Sequence, residues 1–134
     1  TDVIQWKIHQ RIQQSLQDSL KAASLKEAIR IFVSGAEENR KLLKKLLDSP
    51  RRAQMEGLLV QAVHSYLREL FGHRFSGSPI TGADLDALLC FCSYGMTGLL
   101  LNQASQKSAA DQQLLTEQLC RLLTGEMFHL IQNS

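Results

Sequence analysis

Four histidines and three cysteines are the side chains in this 134-residue chain best suited to metal or nucleophilic chemistry. His9, His64, His73 and His129 show no i, i+4 pairing, and none belongs to an HExxH. A zinc site needs clustered ligands, and the spacing supplies no cluster. Cys90 and Cys92 are spaced C-x-C, which on a helix sets them about 200° apart. They cannot hold one metal while the helix stays intact. Cys120 stands alone. The odd number, and apolar surroundings without a cation, read as reduced, buried thiols of a cytoplasmic protein rather than as redox sensors. A Ser/His/Asp nucleophile would need an elbow such as GxSxG, which is absent. Glycine loops for phosphate are absent too. Glu37 and Glu38 are adjacent and read as solvated. One weaker option is a phosphotransfer bundle using His64, with Arg68 one turn on, although a phosphoryl acceptor must be accessible. The chain is expected to be no enzyme, with no metal and no cofactor.

Charge points to no partner. The net charge is +2, too small to imply nucleic-acid binding. Residues 40–52 hold six cations, Arg40, Lys41, Lys44, Lys45, Arg51 and Arg52, against one acid, Asp48. No aromatics interleave with them for stacking on single strands, so they read as a wet helix face.

The elements are helices. Ten Gly and Pro residues and an aromatic content of 6% disfavour a turn-rich sheet protein, and the length suits one domain with a real core. The expected fold is all-α, a bundle of five to six helices over a single domain, residues 1–134. Ile4, Ile8, Ile12, Leu16 and Leu20 recur every fourth residue and predict a first helix over about 2–23, capped by Thr1 or Asp2. Trp6 lies off that stripe, free to reach a neighbouring element or a partner. SLKE is a capping box on Ser24, opening a helix that buries Ala28, Ile29, Phe32 and Val33. Gly35 predicts a break or bend between 34 and 39, after which Leu42, Leu43, Leu46 and Leu47 form a short stripe. Ser49 and Pro50 start a long helix whose apolar face includes Met55, Leu59, Tyr66, Leu70 and Phe71. Gly72 fits its end. Residues 73–80 are the longest loop.

Residues 81–102, TGADLDALLCFCSYGMTGLLLN, organise the rest. Thr81 caps them with Asp84. From 85 to 101 the one charge is Asp86, and apolar side chains fall on nearly every side. Such a helix must be covered all round. The uninterrupted stretch is short of the roughly 20 residues of a membrane span, so cover is expected from the core on one side and a partner or ligand on the other. A polar break over 102–107 precedes a last helix, capped by Ser108, with its stripe from Leu115 to Ile131. Central and last helices from two subunits would build a four-helix bundle that closes at a dimer.

Taken together, SLKEAIRIFVSGAEENRKLLKKLLDSP, EGLLVQAVHSYLRELF, DLDALLCFCSYGMTGLLLNQ and the closing amphipathic helix resemble the C-terminal regulatory domain of TetR/AcrR-type transcriptional repressors. The resemblance covers nearly the whole chain. In that family a pattern like SYGMTGLL lies on the penultimate helix and packs in the dimer bundle. The family's N-terminal helix-turn-helix is not seen, and Thr1 in place of Met is expected of a piece of a longer protein. DNA would then be met only through that missing domain. The resemblance implies an effector-sensing and dimerisation domain of a bacterial regulator, a cytoplasmic homodimer. Its ligand, small and apolar or amphipathic, would lie in the helical core against Phe32, Tyr66, Phe71, Cys92, Tyr94 and Met96. The dimer interface would use Phe91, Gly95, Leu99, Leu119, Leu123 and Met127, with Gly95 and Gly98 allowing close helix approach. The competing reading is a ligand-free helical scaffold or coactivator module that dimerises through the same helices. An enclosed apolar cavity favours the sensor; a filled core beside an exposed apolar surface favours the scaffold.

Overall fold

Apolar residues at helical spacing dominate this chain, and its described residues fold into helices alone. The computed structural model describes residues 2–74, 77, 79–80, 82–106 and 112–133. Their seven helices are α1 (Asp2–Leu20), α2 (Leu25–Glu38), α3 (Arg40–Leu47), α4 (Arg52–Arg74), α5 (Gly82–Ser105), α6 (Gln112–Leu123) and α7 (Glu126–Gln132). α1 lies between α2 and α4, α5 packs on α4 and α3, and α6 packs on α2.

The four-residue stripe of α1 buries Ile8, Ile12 and Leu16, while Ile4 and Leu20 are half-buried. Burying each such side chain stabilises by about 1.5–3 kcal/mol. α4 contributes Val63, Leu67 and Leu70, each 0% exposed. Ser19 ties three helices together at the closed end of α1. Its hydroxyl donates to the Ala28 carbonyl of α2 (3.2 Å) and accepts from the Tyr66 hydroxyl of α4 (2.8 Å). All three are buried, so these bonds replace water that these polar atoms have lost.

Ser24 caps α2 as its sequence predicts: its Oγ accepts from the Glu27 N–H at 3.1 Å. The reciprocal half of the capping box is absent. The Glu27 carboxylate instead takes a bidentate pair from the Arg30 guanidinium (2.5 and 2.9 Å), which holds it below the usual carboxylate range and raises Arg30. Gly35 does not interrupt α2. It lies inside the helix where α1 crosses, and a Cβ there would stand 2.9 Å from Ser15 Oγ. The break falls at Asn39 alone, whose Nδ2 donates to the Gly35 carbonyl at 2.7 Å.

Other boundaries shift for local reasons. Ser49 Oγ accepts from the Arg51 N–H (3.1 Å), making a turn before α4 rather than its cap. α4 runs through Gly72 to Arg74, and α5 runs through the expected polar break to Ser105. The last helix divides into two because Gly125 takes φ +80, a left-handed conformation that ends α6 and starts α7. The caps expected at Thr1, Thr81 and Ser108 lie outside the described residues.

Candidate functional site

Three places bear on function: the core, the outer face of α5, and a groove beside α1. The core is filled. Phe32, Tyr66 and Met96 are buried in it, and the Phe32 and Tyr66 rings stack at 4.6 Å between centroids, tilted by 34°. Beside Phe32 lies a crevice of about 50 Å³, walled also by Ile12, Leu43, Leu59 and Leu100. That is room for one or two waters. Phe71 and Cys92 are half-buried at the edge of the core. Burial pushes the Cys92 thiol up. Tyr94 departs from this group: it is 64% exposed and points away from the core. A helix apolar on every side gives the sequence no contrast from which to tell Tyr94 from Met96.

α5 has two unlike faces. Leu89, Ser93, Met96, Leu100 and Ala104 are buried. Opposite them, Ala87, Cys90, Phe91, Tyr94, Gly98 and Asn102 are exposed, at spacings of three and four residues. This outer stripe carries no charge, and Phe91 is 71% exposed. Beta carbons built on Gly95 or Gly98 would meet nothing within 4 Å, so the stripe is open to a close-packed helix. Leu99, Leu123 and Met127 are half-buried. Leu119 is not on this surface: it is 1% exposed, in the core, because α6 packs on α2 rather than beside α5. The short α5–α6 link does not make them a hairpin pair.

The expectation of three buried thiols fails most clearly at Cys90. Cys90 is exposed on the outer stripe, while Cys92 and Cys120 are partly buried. Burial raises the Cys120 thiol, against a smaller opposing effect of Lys26. Among the described residues no three His, Cys, Asp or Glu side chains come close enough to hold a metal. In the basic run, Arg40 pairs with Glu37 (3.6 Å) and reaches the Gln106 carbonyl, Arg52 pairs with Glu56 (2.6 Å), and Lys41, Lys44 and Lys45 face solvent. At 24 residues α5 is longer than its sequence suggested, and by length and composition it is enough to cross a membrane. Its polar Ser93 and Thr97 are buried against the fold, with the Ser93 hydroxyl bonded to the Leu89 carbonyl at 2.5 Å. One face is therefore already committed to packing.

The third place is a groove of about 590 Å³ between α1 and α4. Ile8, Met55, Leu58, Leu59 and Ala62 form its floor, and Gln5, Trp6, His9, Gln13, Gln61 and Ser65 its rims. Apart from the displaced position of Trp6, nothing in the sequence singled these out, because glutamines on a wet helix face carry no signal of a rim.

In comparison with known proteins, residues 23–125 match a family described as transcriptional regulator C-terminal region. No curated protein and no solved structure matches.

Proposed function

The chain belongs to that family, the C-terminal regions of TetR-type transcriptional regulators, and from that premise we propose that it is a single regulatory domain which pairs two copies through α5 and answers a small-molecule effector. The observation that carries the pairing is the uncharged outer stripe of α5, where Phe91 and Tyr94 are left in water. Exposed aromatics on an apolar face mark association surfaces. Two copies of α5 meeting face to face make a self-complementary, closed contact. Phe91, Gly95 and Leu99 lie in it and Tyr94 joins them, whereas Leu123 and Met127 sit on α6 and α7, which pack on α2 and on each other rather than beside α5.

In a parent protein carrying the family's DNA-reading domain ahead of α1, a change in how α1 sits on α4 alters the spacing of two such readers. An effector shifts that balance only by its differential affinity for the two arrangements. No catalysis is required of any residue, and the protein works in the cytoplasm, where its DNA is.

A second reading, a ligand-free dimerisation or coactivator module, is favoured by the filled core. Sedimentation of the wild-type chain and of Phe91→Asp tests the pairing common to both. The wild type is expected to sediment as a dimer, and the variant as a monomer with unchanged helical content and a melting temperature that no longer depends on concentration. A wild-type monomer at tens of micromolar removes the proposal.

A further inference from the structure

The filled core leaves an effector no room there, whereas the groove between α1 and α4 has the size of a drug-sized ligand site, typically about 300–1,000 Å³. We infer that this groove binds a neutral, planar, amphipathic small molecule that stacks on Trp6 and hydrogen-bonds to the glutamines of its rims. The inference deepens the sensor reading and rests on it for its regulatory meaning. The α1 wall lies ahead of residues 23–125, so the family match assigns nothing to it.

Three features fix the chemical class. First, among the described residues no Lys, Arg, Asp or Glu lines the groove, in a chain where such residues are 21% of the whole. Of the described lining residues His9 alone is titratable, so a strongly charged ligand would lose hydration there with no Lys, Arg, Asp or Glu to pair it. Second, beside His9 the rims present amide and hydroxyl donors and acceptors. Gln5 and Gln13 stand on one side of α1, Gln61 and Ser65 on the facing side of α4. Amides and a hydroxyl suit carbonyl, hydroxyl or amide groups of a ligand. Third, Trp6 is 62% exposed. An indole at a groove edge offers an aromatic face to a flat ring. The floor under it is rigid, because Ile8, Met55 and Leu59 belong to the buried core.

Trp6 is the sole tryptophan, so its emission reports on the groove directly. The probe is Nile red, neutral and planar, with anilinonaphthalene sulfonate as an anionic comparison. Nile red is expected to quench Trp6 saturably, with energy transfer to the dye, and the anion to bind at least tenfold more weakly. Ala62→Phe fills the floor and is expected to weaken Nile red at least tenfold. Gln61→Glu, a change on an exposed rim that does not endanger folding, is expected to weaken it severalfold. Phe91→Asp is expected to bind the dye as the wild type does. The inference is overturned if saturating Nile red leaves Trp6 emission unchanged, if a folded Ala62→Phe or Gln61→Glu binds like wild type, or if Phe91→Asp abolishes binding, which would place the dye on α5. Groove binding that leaves the distance between the two α1 helices of the dimer unmoved keeps the site and removes the sensor reading. Loss of groove binding with the dimer intact removes the site and leaves the pairing.

Discussion

Gly35 sets how closely α1 can lie on α2, and hence where one wall of the groove stands. In Gly35→Ala two effects oppose each other. Alanine in a helix interior gains about 0.5–1 kcal/mol over glycine. Against it, the new methyl would stand 2.9 Å from Ser15 Oγ, inside ordinary contact distance. That oxygen ends a one-torsion side chain and yields by leaving its preferred rotamer, at a cost of about 0.5–1.5 kcal/mol. The two nearly cancel, so Gly35→Ala alone is expected within about 0.5 kcal/mol of wild type. With Ser15→Ala the oxygen is gone, and the same change recovers the helix gain of about 0.5–1 kcal/mol. Urea unfolding of the four proteins measures the coupling, expected at about 0.5–1 kcal/mol and well above the error for residues that do not touch. Additivity within about 0.3 kcal/mol would refute the close approach. Gly35→Leu cannot be relieved by one torsion; it is expected to cost about 1–3 kcal/mol or more as overpacking and to weaken Nile red as α1 moves.

Other substitutions test other parts of the structure. Leu119→Ala opens a cavity between α6 and α2 and is expected to destabilise by about 2–5 kcal/mol in thermal unfolding; a loss of dimer without loss of stability would return Leu119 to the interface. Gly125→Ala forces a side chain into the left-handed conformation and is expected to cost about 1–2 kcal/mol, read as a lower melting temperature with reduced helicity. Thiol alkylation at pH 8, followed by peptide mass, should modify Cys90 first in monomeric Phe91→Asp. Cys92 and Cys120, their thiols pushed up by burial, carry less reactive thiolate at that pH and are expected at least tenfold slower. In the wild-type dimer Cys90 is expected to be shielded.

Much of the fold is legible in the sequence because one-sided helices advertise their buried face. The stripe Ile8, Ile12 and Leu16, the cap at Ser24 and the pair Leu43 and Leu46 all lie where periodicity puts them. Legibility ends where the contrast ends. Around α5 every side is apolar, so periodicity could not separate inward Met96 from outward Tyr94. Gly125 lies in a stripe that continues past it into Met127 and Leu130, and a positive φ leaves no trace in hydrophobic spacing. Gly35 looks like a helix breaker, yet its missing side chain serves a crossing between distant segments. Leu119 belongs to a stripe that spacing cannot assign to a neighbour, and the neighbour is α2. The groove is a tertiary feature: Trp6 alone signalled it, by lying off the stripe of α1.

The central claim is that two copies of this chain pair through α5 and respond to a neutral effector. Native mass spectrometry of the 15.0 kDa chain, sprayed at low micromolar concentration with and without Nile red, tests it most directly. A species of twice the chain mass that takes up one dye per copy is expected. A stable monomer in both conditions contradicts it.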